Sequence, residues 1–176
     1  MSRRTRRFGH THLLAEDAIG LEARAEHDDH LSLKLWLRLL ACSTQVEIEV
    51  RNRLRAQFGI SLARFDYLAQ LHRHADGLRM STLSRYLMVT GGNVTALTDE
   101  LAREGMVLRE DDADDRRSYR LRMTPAGRKA FERIARAHEQ WVIELFGGLE
   151  TAHKQSLYEL LGRLRVQLAE NQEAPA

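Results

Sequence analysis

The sequence predicts a mainly α-helical chain that carries one small β-hairpin. Three observations point there. Apolar residues recur at three- and four-residue steps over most of the length. Aromatic residues make up only 6% of the chain, and the prolines are two, Pro125 and Pro175, a balance that disfavours a sandwich or barrel. Only one stretch, residues 106–123, alternates apolar and polar on both sides of a charged, turn-prone tip. The 176 residues, 43% of them hydrophobic, are enough for one domain with a core. The net charge of +2 is not that of a polycation, so any nucleic-acid binding must come from local clustering. A single cysteine, Cys42, excludes an internal disulfide and fits a reducing compartment. No apolar run approaches the roughly 18 residues of a membrane span. The basic start, "MSRRTRRFGHTH", lacks the apolar stretch of a signal peptide, so a cytoplasmic protein without a membrane partner is expected.

Residues 1–30 have weak periodicity and read as a flexible N-terminal tail, in which Leu13, Leu14, Ile19 and Leu21 can form a short docking helix. From Leu31 the pattern strengthens. Leu35, Leu39, Cys42, Val46, Val50, Leu54 and Phe58 mark one face of a long helix over 31–58. The segment "QVEIEVR" alternates as a strand would, but the longer helical pattern runs through it. On that face Cys42 reads as a small buried hydrophobe rather than a redox sensor. Gly59 closes the helix. Ser61 caps the next, "SLARFDYLAQLHRHA", with Leu62, Phe65, Leu68 and His72 on one side. Asp76-Gly77 is a turn, and "LRM" a short extended piece. Ser81 or Thr82 is expected to cap a short helix, "LSRYLMV". Thr90 caps another, in which Val94, Leu97 and Leu101 face inward and Gly105 ends the run. Met106–Glu110 and Ser118–Met123 form the hairpin, with Tyr119, Leu121 and Met123 on one face. Thr124-Pro125 opens a helix as cap and first residue. Phe131, Ile134, His138, Trp141 and Leu145 then make a stripe suited to packing on another helix. Gly147-Gly148 breaks it, and Leu157, Leu160, Leu161, Leu164 and Leu168 line a last amphipathic helix.

Helix, strand, helix, helix, strand, strand over residues 62–123 is the layout of a winged helix-turn-helix. The expected fold is therefore mainly α with a small β-wing, flanked by helices longer and more apolar than so small a core needs. Pairing with a second copy explains them economically. The chain divides into the tail (1–30), a dimerisation helix (31–58), the winged region (59–124) and C-terminal dimerisation helices (125–172).

Gly91 and Gly92 stand at the mouth of the second helix of the motif, although glycine costs about 1 kcal/mol against alanine in a helix interior. In a helix-turn-helix that end enters the major groove first. Its free N–H groups and partial positive charge favour a phosphate, and a side chain there would hold the DNA backbone away. Thr90, Gly91, Gly92, Asn93, Thr95 and Ala96 are thus the candidate recognition residues: asparagine pairs with adenine, and a methyl meets the thymine methyl. Arg116 and Arg117 are placed at the wing tip, where a thin loop carries arginine into the narrow minor groove. Asp115 can hold an adjacent arginine in a fixed pose.

"DDRRSYRLRMT" resembles the wing of the MarR family of bacterial regulators: an Asp-x-Arg, an aliphatic pair and Thr, falling here on Asp115, Arg117, Leu121, Met123 and Thr124. Met123 replaces the usual leucine, and Ala113 a common wing proline. The resemblance in element order spans about Leu31 to Leu168. It implies a homodimer on a palindromic double-stranded DNA site, usually repressing nearby genes, with no cofactor and with release by a small effector. "LWLRLLAC", "FDYLAQL" and "LMVTGGNVT" are further similar to a branch that controls breakdown of aromatic acids, some members of which sense the coenzyme A thioester. That likeness implies an anionic, partly aromatic effector near the meeting of the first two helices with the dimerisation helices, with Trp36, Arg38, Arg64 and Phe65 as candidate lining residues.

Other chemistries fit less well. The glycine pair lacks the spacing and lysine of a P-loop. Glu26, His27, Asp28, Asp29 and His30, or His72 and His74, invite a metal-responsive reading, but zinc needs three or four converging ligands. The acidic wing has Arg116 where a calcium loop needs glycine. No serine elbow, zincin pair or cysteine–histidine arrangement suggests an enzyme. A protein-interaction module remains an alternative, and Arg3, Arg4, Arg6 and Arg7 read as a solvated end.

Overall fold

A computed structural model describes residues 31–88, 90–112 and 115–173, with the side chains of 112, 115–118, 172 and 173 outside that description. The tail over 1–30, with its short docking helix, its basic end and its Glu26–His30 cluster, lies outside the described residues. The chain divides into two compact units, Met1–Arg53 and Leu54–Ala176.

The elements follow the expected order. α1 (Leu31–Phe58) and α2 (Leu62–Arg73) precede β1 (Leu78–Arg79). α3 (Met80–Leu87) and α4 (Gly91–Arg103) lead to β2 (Val107–Asp112) and β3 (Asp115–Met123), and α5 (Pro125–Leu145) and α6 (Thr151–Glu173) close the chain. "QVEIEVR" is helical within α1, where Glu49 and Arg53 form an i, i+4 pair at 2.7 Å, joined by Glu47 with Arg51. The apolar face of α1 is not uniformly covered. Val50 and Leu54 are buried, Leu39 and Val46 are half-buried, and Leu35 is exposed. Cys42 is also exposed, against expectation, although Leu39 and Val46 on either side of it along the stripe are half-buried.

In the second unit the capping chemistry is as the sequence predicts at two helices. Ser61 Oγ accepts from the Arg64 N–H at 3.2 Å. Thr124 Oγ1 accepts from the Gly127 N–H at 2.9 Å, with Pro125 in the first turn. α3 departs from expectation at both ends. It begins at Met80 behind Arg79, without a side-chain cap, and stops at Leu87 because Met88 takes a left-handed conformation (φ 52°). The left-handed residue turns the chain sharply into α4.

The strands form an antiparallel sheet in the order β1-β3-β2. Leu78 pairs with Leu121 and Val107 with Met123, and a register shift follows Asp111. Gly77 makes the entry to β1 possible. It sits at φ +82°, and a Cβ there would lie 2.6 Å from Arg122 Cγ and 2.8 Å from the Leu121 carbonyl. The core gathers Leu68, Leu71, Leu83, Val94, Leu101 and Leu121, each no more than 1% exposed. Phe65, Phe131 and His138 extend it toward α5, with the Phe65 ring 5.5 Å from Phe131 and 4.6 Å from His138. A junction joins α4, the wing and α5. The Thr124 N–H donates to the Met106 carbonyl at 3.0 Å and its hydroxyl to the Gly105 carbonyl at 2.7 Å. Gly127 lies so close that a Cβ would fall 2.1 Å from the Met106 carbonyl oxygen.

Most of the apolar stripe of α6 remains uncovered: Leu157, Leu160, Leu161 and Leu168 are 38–61% exposed, and Leu164 is half-buried. No helix among the described residues is long and apolar enough to cross a membrane.

Candidate nucleic-acid interface

α4 is built from two unlike halves. Its N-terminal half begins behind Thr90, whose backbone is extended (φ −68°, ψ 151°) and whose carbonyl accepts from the Asn93 and Val94 N–H groups. Thr90 is thus the expected N-cap by position, but its side chain makes no capping bond, so it does not close the first turn. Gly91 and Gly92 have negative φ, and a Cβ at either would meet nothing within 4 Å. Neither glycine is required by the chain's own packing. Asn93, Thr95 and Ala96 are all exposed, and the Thr95 hydroxyl donates back to the Gly91 carbonyl at 3.0 Å.

The C-terminal half is held from several sides. Val94, Thr98 and Leu101, at i, i+4 and i+7, form the buried stripe. Leu97, expected inward, is only half-buried because Thr98 occupies that face. The Thr98 hydroxyl donates to the Val94 carbonyl and lies 2.7 Å from the Tyr67 hydroxyl. Having one proton to give, Thr98 receives the Tyr67 hydrogen bond. Burial pushes the Tyr67 phenol up to about 12, so it stays protonated and able to donate at neutral pH. Asp99 pairs with Arg109 of β2. Arg64 of α2 reaches Glu100 at 3.0 Å and Glu104 at 2.8 Å, and its second nitrogen bonds Glu104 again. The hydrogen bond from Arg64 holds the Glu104 carboxyl below its ordinary range. These three attachments were not read from the sequence. Thr98 carries a legible signal in its place on the apolar stripe; the partners of Asp99, Glu100 and Glu104 do not.

The wing is longer in strand than expected. Asp112 pairs with Asp115 beyond the register shift, so the ladder runs almost to the tip and only residues 113–114 separate the strands. Asp115, Arg116 and Arg117 therefore open β3 rather than lie on a loop. Their side chains, and the expected Asp115–arginine contact, fall outside the described residues. At the other end of the wing, Arg122 bonds Glu110 at 3.2 Å.

The expected effector residues are divided between the two units. Trp36, 55% exposed, and Arg38 belong to the first unit. Phe65 is buried, and the two terminal nitrogens of Arg64 are engaged with Glu100 and Glu104 of α4, while its Nε is buried without a hydrogen-bond partner. Of the histidines weighed as metal ligands, His72 lies 3.7 Å from Glu132, and the His74 ring stacks on Tyr86 at 5.5 Å. Among the described residues, no group of three or more His, Cys, Asp or Glu is placed to hold a metal ion.

Comparison with known proteins agrees with this geometry. Residues 58–118, from the end of α1 into the wing, match the sequence model of the MarR family. The transcriptional activatory protein BadR of Rhodopseudomonas palustris is 30% identical over 125 residues, 70% of this chain and 71% of that protein. A crystal structure of a MarR family transcriptional regulator from Silicibacter pomeroyi is 34% identical, with a TM-score of 0.64 over 82% of this chain and 99% of that one. AbsC, a MarR family regulator from Streptomyces coelicolor, shares the fold at 20% identity, with a TM-score of 0.69 over 82% of this chain and 97% of its own. The chain belongs to the MarR family of winged helix-turn-helix, DNA-binding transcriptional regulators, and is not an enzyme.

Proposed function

We propose that the chain acts as a homodimer on a two-fold symmetric operator, represses the adjoining genes, and is released by a small anionic effector. The observation that carries the DNA reading is the open N-terminal half of α4. Two glycines with vacant space around them and three short exposed side chains leave a helix end that a phosphate and base edges can approach closely. The uncovered leucines of α6 support self-association. In such a dimer the two copies of α4 enter successive major grooves, with half-site centres about 10 base pairs apart. The likeness of "LWLRLLAC" and "LMVTGGNVT" to regulators of aromatic-acid breakdown supports an aromatic acid or its coenzyme A thioester as effector. Trp36 is the strongest of the lining candidates, since Arg64 is engaged elsewhere. Activation is the second reading of sign, favoured by the name that the Rhodopseudomonas palustris relative carries.

Fluorescence anisotropy on the protein's own upstream DNA tests this reading, at two salt concentrations and with a panel of aromatic acids and their thioesters. Tight binding that weakens steeply with salt, and that one compound relieves, is the expected result. Arg117→Ala should weaken it by about tenfold, in the range of one lost groove contact, with the melting temperature unchanged. A footprint lacking two-fold symmetry would defeat the dimer reading, and a reporter gene fixes the sign.

A further inference from the structure

We infer that Arg64 is a positioning residue for DNA reading, one that sets the pose of the recognition helix without touching DNA; this rests on the DNA-binding role of α4. Glu100 and Glu104 stand four residues apart, so both carboxylates lie on one side of the helix, and that side faces α2. Arg64 spans them. One terminal nitrogen reaches Glu100 at 3.0 Å and Glu104 at 2.8 Å, and the other bonds Glu104 and lies 3.3 Å from Met106 Sδ. The guanidinium thus ties α2 to the last turn of α4 and to the residue that enters the wing. Its planar fork suits such a bidentate grip, which a lysine cannot reproduce.

The grip is nearly closed to solvent on the arginine side, where the side chain is 14% exposed, but the carboxylates are 47% and 41% exposed. Half-exposed pairs of this kind contribute little to global stability. A second tie between α2 and α4, the hydrogen bond of Tyr67 with Thr98, lies fully buried in the core. What the grip adds is direction: it fixes the roll of α4 about its axis, and hence which side chains of its open end meet a groove. It also neutralises two carboxylates on the helix that must lie against phosphates. Arg109 does the same for Asp99 from the wing side, so the acidic half of the recognition helix is paired on both flanks.

The test uses full-length wild type, Arg64→Gln, Arg64→Lys and the triple variant Arg64→Gln/Glu100→Gln/Glu104→Gln. Amide hydrogen exchange is followed in each, along with affinity for the duplex that wild type selects from a randomised pool. Positioning predicts about tenfold faster exchange in Arg64→Gln, confined to residues 98–106, with the melting temperature within a few degrees of wild type. It also predicts roughly tenfold weaker binding with an unchanged salt slope, only partial rescue by lysine, and no further loss in the triple variant. The exchange arm needs no DNA, so it judges the grip even if the chosen duplex fails. Unchanged exchange overturns the inference. So does a salt slope reduced by about one, which marks a direct phosphate contact. Losses that add up in the triple variant also count against it.

Discussion

The winged core and the last helix use the same residue to opposite effect. Leu54, Leu68, Leu83, Leu101 and Leu121 are fully buried, whereas Leu157, Leu160, Leu161 and Leu168 of α6 are 38–61% exposed. Fully burying a leucine is worth about 1.5–3 kcal/mol. The core has realised that gain within one chain, and α6 has not. An amphipathic pattern therefore announces a face without saying what covers it. The same spacing that predicts a core stripe in α4 predicts, in α6, a surface that one chain alone leaves wet.

Substitutions can break or sharpen that contrast. The largest effect is expected in the core: Leu68→Ala should lower the unfolding free energy by about 2–5 kcal/mol, read from denaturant melts. Leu157→Ala, measured at a concentration where the chain is monomeric, should cost a small fraction of that. Equal losses at the two sites would abolish the distinction. Next comes association. Leu157→Glu/Leu160→Glu should leave the melting temperature of the monomer nearly unchanged but shift sedimentation at micromolar concentration from dimer to monomer. A wild-type chain that sediments as a monomer would show that the α6 stripe has some other use.

The smallest effect concerns the aromatic edge of the core. Burial lowers the pKa of His138, whose ring packs on Phe65 and lies 6.4 Å from Trp141. The unfolded chain takes up this proton near 6.5 and the folded chain only below that. Stability should fall as pH drops below about 6.5 and level off once the folded histidine titrates. His138→Phe should flatten that part of the profile, with His72 and Glu132, which face the same edge, left in place. A slope unchanged by the substitution would assign it to another group.

Much of the scaffold was legible because it rests on local rules. Gly59, Gly77 and Gly105 all take positive φ where a helix end or turn was expected, and Thr124-Pro125 opens α5 with its cap bond formed. The open end of α4 was legible for a related reason, since two glycines at a helix start are locally unfavourable. The departures are tertiary. Met88 takes a left-handed conformation that nothing in its side chain favours, set by the turn into α4. Arg64 was open to reading as an effector-lining residue because its partners lie 36 and 40 residues away. Cys42 sits on a periodic stripe, and periodicity does not report which positions of the stripe are covered.

The junction at Gly127 has a mechanical consequence. With no room even for a methyl group between α5 and the Met106 carbonyl, the root of α5 is seated directly on the residue that leads from α4 into β2 of the wing. α5 is 21 residues long, a rod of about 32 Å, so each degree of tilt at its root sweeps the far end through about 0.5 Å. Read in reverse, a displacement of an ångström at the distal end turns the root by only about two degrees. The helix works as a reducing lever: coarse movement at one end becomes fine adjustment at the other, on the scale at which a side chain gains or loses a base edge.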